Sequence, residues 1–194
     1  MRFDARRATR CRRVAALAAT VVLGAVVASL AAVTYLGLTF PDQVAGATLG
    51  PVTDFEKDKP GLGYGIRYQL QGWSIDIYIY NDAINPIPDD LSSDVIKAQL
   101  AQAQGDIFER QKRGTASDIK LTGSRDITDA RGRLRFLCRD YTFIDQSQRA
   151  LDSFLCLTGW HNEFIKFRLT TLRHSGSDAE ARRLVQAWLG ILWP

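Results

Sequence analysis

Apolar and polar residues alternate without a break between Leu62 and Leu70. Leu62, Tyr64, Ile66, Tyr68 and Leu70 fall on one side; Gly63, Gly65, Arg67 and Gln69 fall on the other. A period of two predicts a strand with one buried face. The glycines opposite leave room for close packing or mark a bulge. Gln71-Gly72 reads as a tight turn. Ser74–Tyr80 then alternates again, Ile75, Ile77 and Ile79 pointing one way, Asp76, Tyr78 and Tyr80 the other. The two segments predict a β-hairpin, with Val52–Asp58 a weaker strand ahead of it. After the loop Asn81–Leu91, broken by Pro86 and Pro88, the period changes. Ile96, Leu100, Ala103 and Ile107, widened by Val95 and Phe108, form a stripe at helical spacing. They predict a helix over about 92–113, capped by Ser92 or Ser93, with Asp94 in its first turn and Gly114 at its end.

The chain then returns to strands, at about Lys120–Ile127, Arg133–Ile144, Ala150–Leu157 and Glu163–Leu172, the last burying Ile165, Phe167 and Leu169. A turn at Asp145–Arg149 that is symmetric about Ser147 sets Cys138 and Cys156 directly opposite, nine residues to either side. Opposed residues of an antiparallel pair approach to disulfide range, so a bond is expected in an oxidising compartment. Two buried free thiols are the other reading. Ser177-Asp178-Ala179-Glu180 matches a capping box and opens a final helix, whose buried stripe is Leu184, Val185, Trp188, Leu189 and Leu192. Trp193-Pro194 is expected to fray or to pack at the domain edge. The order β-β-β-α-β-β-β-β-α predicts an α+β fold, an antiparallel sheet with two packed helices.

Ahead of this lies Val14–Phe40, without a single charge. About 20 apolar residues cross a bilayer core, and Arg2, Arg6, Arg7, Arg10, Arg12 and Arg13 precede the run, opposed only by Asp4. The positive-inside rule keeps that end in the cytoplasm and exports the rest. The run is an uncleaved signal anchor, or a signal peptide cut at Ser29-Leu30-Ala31 or Ala45-Gly46-Ala47. Its length favours the anchor, because signal cores run about 7–15 residues. The pairs Arg6-Arg7 and Arg12-Arg13 also suggest a twin-arginine signal, in a poor context for one. The expected organisation is a cytoplasmic basic segment (1–13), a transmembrane anchor or signal (14–40), a linker (41–51) and a periplasmic α+β domain (52–194).

Charge is unevenly distributed along the chain. Six arginines and one aspartate give residues 1–40 a charge of +5 against +4 for all 194 residues, so the remainder carries −1. The high overall isoelectric point therefore belongs to the leader, and the electrostatic case for nucleic acid disappears. Cys11 lies in the leader, leaving Cys138 and Cys156 as an even pair. No C-x-x-C and no cysteine–histidine spacing suggests zinc, and no cofactor is expected.

PDQVAG (41–46), GLGYGIRY (61–68) and IYIYNDAINPIPDDL (77–91), together with the element order, carry a resemblance. Over about residues 50–192 the chain resembles the PsbP/Mog1-like α/β sandwich, and its wording is similar to a group of uncharacterised bacterial envelope proteins. The resemblance implies a partner-binding or assembly-assisting domain. It transfers no catalytic residue, because that fold has no common active site.

Candidate chemistry is sparse. His161 and His174 both fall in connections, with no nucleophile motif beside them, although a triad can assemble from distant positions. Asp82, Asp89 and Asp90 share a loop and offer oxygen ligands for calcium, but they also suit a helix N-terminus. Arg131, Arg133, Arg135 and Arg139 meet a lipid headgroup or an acidic partner, or solvate the sheet. Trp73, Tyr64, Tyr68, Tyr78 and Tyr80 crowd the first hairpin; the first two tyrosines belong to the core, and Tyr78 and Tyr80 form a contact surface or lie under a helix. The expectation is a membrane-tethered periplasmic domain that binds an envelope protein through Trp73, Asp76, Tyr78, Tyr80, Asp82, Asp89 and Asp90. The alternatives are a hydrolase whose residues converge only in three dimensions, and a small-ligand or lipid carrier.

Overall fold

A computed structural model describes residues 32–194. The basic segment 1–13 and residues 14–31 of the apolar run lie outside the described residues, so the expected membrane helix falls largely there. Among the described residues no helix is long and apolar enough to cross a membrane.

The end of the apolar run corrects the expected boundary. Val33–Tyr35 (β1) and Leu38–Phe40 (β2) pair antiparallel, turning through Leu36 and Gly37 at φ 47° and 81°. Two successive positive φ values mark the hairpin turn whose twist matches its strands. Leu38 and Phe40 are buried in the domain core. The expected linker 41–51 is also structured: Gln43–Val44 (β3) pairs with Ala47–Asp54 (β4), and Val44, Ala47 and Leu49 join the same core. Small residues and prolines had suggested a connection here. In the fold Pro51 falls where the β4 register shifts, a place where its missing N–H is tolerated.

Among the described residues the main sheet has nine antiparallel strands. Besides β3 and β4 these are Tyr64–Leu70 (β5), Trp73–Tyr80 (β6), Ala116–Ser124 (β7), Ile127–Thr128 (β8), Leu134–Asp145 (β9), Ala150–Trp160 (β10) and Glu163–Leu172 (β11). Their order is β3-β4-β5-β6-β11-β10-β9-β7, with β8 on the end of β9. The predicted hairpin is β5–β6, and the α+β class, antiparallel sheet and packed helices stand as read.

Each face of the sheet has its own core. Asp94–Lys112 (α1) lies on one face, where Ile96, Leu100, Ala103 and Ile107 pack with Leu155, Leu157 and Phe164. Ile96, Leu100 and Ile107 each contribute about 1.5–3 kcal/mol when fully buried. Ser93 is the cap, its Oγ accepting from the Ile96 amide at 3.3 Å. Phe108, assigned to the buried stripe, is 40% exposed. The other face carries the β1–β2 hairpin, Ser177–Gln186 (α2) and Leu189–Leu192 (α3). Strand β11 serves both faces by its period of two, sending Ile165, Phe167 and Leu169 to the second core.

The disulfide expectation holds: Cys138 pairs with Cys156 in register, with Cα atoms 4.1 Å apart. The capping box does not form. The N-cap of α2 is Gly176, and no side chain caps it. Ser177 Oγ donates to Asp152 Oδ2 at 2.8 Å, and the Glu180 carboxylate accepts from Trp73 Nε1 at 3.0 Å. Both residues are drawn into tertiary bonds that a local motif cannot foresee. Trp193 is packed, its ring 5.7 Å from that of Phe136.

Candidate functional site

Helix α1 packs on β7 and β10 and leaves uncovered the part of the sheet that β5, β6 and the near side of β11 present on that face. Cross-strand partners there run Gly65–Tyr78–Lys166 and Arg67–Asp76–Arg168. The connection between β4 and β5 forms a second wall opposite α1. The Glu56 carboxylate ties it together, accepting from the Gly61 amide at 3.1 Å and the Gly63 amide at 2.8 Å. Phe55 closes it by donating its amide to Gly63 O at 2.9 Å.

The glycine row noted in the sequence is what lets this wall sit so close. Gly63 has φ +64°, and a Cβ there would lie 1.8 Å from Ile79 O. A Cβ on Gly65 would lie 2.9 Å from the Phe55 ring and 3.3 Å from the Tyr78 ring, which stack with centroids 6.5 Å apart.

Two clefts result. One, of about 250 Å³, is floored by Tyr78, Tyr80 and Lys166 and walled by Phe55, Leu62, Asp82, Gln99, Gln102 and Asp106. The other, of about 180 Å³, lies over Gly65, Arg67 and Asp76. They share Phe55 and Tyr78 and form a two-part groove, of which only the first part is bordered by α1, through Gln99, Gln102 and Asp106.

The charges of the groove are unevenly satisfied. Arg67 Nε donates to Asp76 Oδ1 at 2.7 Å. Gln99 Nε2 donates to the Tyr80 hydroxyl at 3.0 Å. Burial pushes the Tyr78 and Tyr80 phenols up from their ordinary range. Lys166 Nζ sits 4.8 Å above the Tyr78 ring and 5.1 Å from that of Tyr80. No hydrogen bond or ion pair reaches it among the described residues. Burial pulls its ammonium down from the ordinary lysine range, against weaker pulls from Asp106 and Asp82. Two residues on, Arg168 Nε donates to Ser153 Oγ at 2.9 Å, while Nη2 is buried without a partner. Burial, with Arg110 next in effect, brings the Arg168 guanidinium down to about 10. The ring faces partly compensate Lys166, but a buried charge without a close partner remains costly.

The predicted surface therefore divides. Asp76, Tyr78, Tyr80 and Asp82 line the groove. Trp73 lies on the opposite face, buried against Phe154. Asp89 Oδ1 accepts from the His161 amide at 3.2 Å, and Asp90 accepts from the amide and hydroxyl of Ser92 at 2.9 and 2.8 Å. These two aspartates fasten the 81–91 loop. Among the described residues no group of three or more His, Cys, Asp or Glu converges as metal ligands would.

Three of the four arginines in the row, Arg133, Arg135 and Arg139, lie against carboxylates. Arg135 Nε donates to Asp129 at 2.9 Å, Arg133 lies 3.7 Å from the same carboxylate, and Arg139 lies 3.3 Å from Asp126. Arg131, Arg133 and Arg135 border a cleft of about 810 Å³ with Trp160, His161 and Trp193. His161 stacks on Trp160, and His174 stands edge-on to Trp73, its Nδ1 bonded to Ser175 O at 3.0 Å.

Sequence reasoning missed Lys166, Arg168, Phe55, Gln99, Gln102 and Asp106. The signal for the first two was present. They occupy the alternate positions of the strand whose other face buries Ile165, Phe167 and Leu169.

The chain matches no protein-family model, and no curated protein matches it in sequence. Among solved structures it is similar to cyanobacterial PsbP (CyanoP) from Synechocystis sp. PCC 6803, at 12% identity and TM-score 0.47, covering 85% of this chain and 96% of that one. It is also similar to PA94 of Pseudomonas aeruginosa, a protein of unknown function, at 15% identity and TM-score 0.36 over 77% and 87% of the two chains. A third is the Saccharomyces cerevisiae Ran-binding protein Mog1p, at 7% identity and TM-score 0.37 over 80% and 85%. Likeness of this degree assigns the chain no function.

Proposed function

We propose that this chain is a binding domain without chemistry of its own, held at the outer face of the cytoplasmic membrane, and that it meets an envelope protein partner through the groove between residues 55–63 and α1. The observation that carries the reading is the floor of that groove. Aromatic rings share it with Lys166, whose ammonium has no hydrogen-bond partner among the described residues, and it is built on the main sheet. Such surfaces, part apolar and part unsatisfied, are what a partner completes. Residues 14–31, apolar and preceded by six arginines, supply the anchor and leave the amino terminus in the cytoplasm. A Cys138–Cys156 bond suits the oxidising side of that membrane.

Two experiments test this. A periplasmic reporter fused after Pro194 is expected to be active; activity of a cytoplasmic reporter alone would reverse the topology. A photo-crosslinking residue at Leu62, on the groove wall, is expected to trap one discrete protein in intact cells. The same residue at Leu172, which is 52% exposed and outside the groove, is expected not to. Equal yields at the two positions would move the contact surface elsewhere.

A further inference from the structure

We propose that the cleft between α3 and residues 129–135 takes the phosphate of an anionic phospholipid headgroup, and that the domain rests on its own membrane through this side. The inference rests on the membrane anchor proposed above, not on the groove, and adds which side of the domain meets the lipid.

The anchor leaves no slack. Residues 14–31 number 18, about 27 Å as a helix at about 1.5 Å per residue, against a hydrocarbon core about 30 Å thick. The whole run is needed to cross. Ala32 alone separates it from β1, so the domain is held against the headgroups. β1 enters on the face of the sheet that carries α2 and α3. Val33 pairs with Phe40, whose ring is 5.7 Å from that of Trp188, the residue before α3. The groove lies on the other face, with α1.

The cleft on the α3 side, of about 810 Å³, has two unlike walls. One is Leu189, Ile191 and Trp193, which stay only partly buried. The other is Arg131, Arg133 and Arg135. The walls are fixed to each other and to the sheet: the Arg135 guanidinium lies 4.5 Å from the Trp193 ring centroid, and Trp160 Nε1 donates to Leu192 O at 2.9 Å. Asp129 is the one side-chain anion of the lining, and it is already occupied. Its carboxylate accepts from the amides of Arg131 and Arg133 at 2.8 and 3.0 Å and from Arg135 Nε at 2.9 Å. Arg133 lies 3.7 Å from it with its side chain 57% exposed, and no ion pair reaches Arg131 among the described residues. Three arginines against Asp129 leave the lining at +2, and a carboxylate on Pro194 still leaves +1.

Guanidinium groups match phosphate oxygens in pairs. Cations beside an apolar, tryptophan-bearing wall suit the boundary between headgroups and acyl chains, where tryptophan collects. A small soluble anion would meet the arginines and leave the α3 wall bare, whereas a phospholipid covers both.

The test reconstitutes the full chain in vesicles of phosphatidylcholine alone or mixed with phosphatidylglycerol, with a photo-crosslinking residue in place of Gly190. That position lines the cleft from α3 and has nothing within 4 Å of its absent Cβ. A phospholipid adduct is expected there when phosphatidylglycerol is present, and little with phosphatidylcholine alone or from Leu62 on the groove wall. Arg131→Gln with Arg133→Gln is expected to cut the adduct about fivefold or more, and Arg131→Lys with Arg133→Lys to keep most of it. Folding is not at issue in these pairs, because Asp129 keeps Arg135 and both amides. Inorganic phosphate is expected not to suppress the adduct. Equal adducts in the two lipids or at the two positions, indifference to the glutamine pair, or suppression by inorganic phosphate would each overturn the inference. So would the absence of any lipid adduct from a chain that resists alkaline carbonate extraction, which leaves the anchor standing. Release of the chain by carbonate would overturn the anchor itself, and the inference with it.

Discussion

Gly63 offers the sharpest perturbation of the wall that creates the groove. Two costs are separable at this position. Its φ of +64° is a left-handed conformation that costs an L-residue about 1–2 kcal/mol. Its missing Cβ would otherwise lie 1.8 Å from Ile79 O. That neighbour is backbone in a central strand and cannot swing aside as a side chain would. Forcing atoms into a packed site costs about 1–3 kcal/mol more. Gly63→Ala is therefore expected to lose about 2–5 kcal/mol. Gly72 is the internal control, with φ +80° and nothing within 4 Å of its absent Cβ. Gly72→Ala incurs the conformational cost alone, about 1–2 kcal/mol. Urea unfolding followed by tryptophan fluorescence measures both, since Trp73, Trp160 and Trp188 are buried, and equal slopes would show that the same surface is exposed. If the two variants fall within about 1 kcal/mol of each other, the wall is not seated on β6 as described.

Further expectations follow from the same architecture. Lys166→Met should raise stability by about 1 kcal/mol at neutral pH, because it removes a half-buried charge without a partner; a loss of similar size in urea unfolding would mean the charge is already satisfied. Reducing Cys138–Cys156 should cost about 3 kcal/mol for an 18-residue separation, and non-reducing mass spectrometry should show the linked peptide; two alkylatable thiols in protein isolated without reductant would refute the pairing. Leu100→Asp places a charge where Leu100 is 3% exposed and should abolish cooperative unfolding by circular dichroism; an unchanged melting temperature would reject the helix face. Glu163, raised by burial with Oε2 unpartnered, favours folding in its protonated form. Its contribution is full below the unfolded carboxyl range and is lost as pH rises through the higher folded value. Glu163→Gln should therefore raise the melting temperature at neutral pH and not in acid, and an equal gain at both would point away from ionisation.

What the sequence disclosed, and what it hid, follows one physical line. Regular periods were legible, because a strand with one wet face or a helix with one dry stripe writes its geometry into adjacent residues. The β5–β6 hairpin, α1 and the Cys138–Cys156 register were all readable this way. Two kinds of feature were not. The first is an element whose apolar residues also suit another environment: Leu38 and Phe40 fit a membrane span as well as a buried hairpin, and the small residues around Val44, Ala47 and Leu49 fit a linker as well as a strand. The second is a side chain whose partner is distant. Ser177 and Glu180 have the spacing of a cap, yet bond to Asp152 and Trp73. Lys166 and Arg168 look like the solvated face of a strand until α1 and residues 55–63 are placed beside them. The groove arises where residues 55–63 and α1 meet one face of the sheet, so only Gly63 and Gly65 and the side of its floor formed by Asp76, Tyr78, Tyr80 and Asp82 were visible beforehand.

The floor of the groove holds an ammonium that is partly withdrawn from water, with no hydrogen-bond partner among the described residues and only the carboxylates of Asp82 and Asp106 at the cleft wall to oppose that burial. Nuclear magnetic resonance titration of the Lys166 Cε methylene in the full chain measures this directly. A midpoint clearly below the ordinary lysine value of about 10.4 is expected. A midpoint at or above the ordinary value in the free protein would mean that Lys166 is already solvated or paired, and would contradict the account.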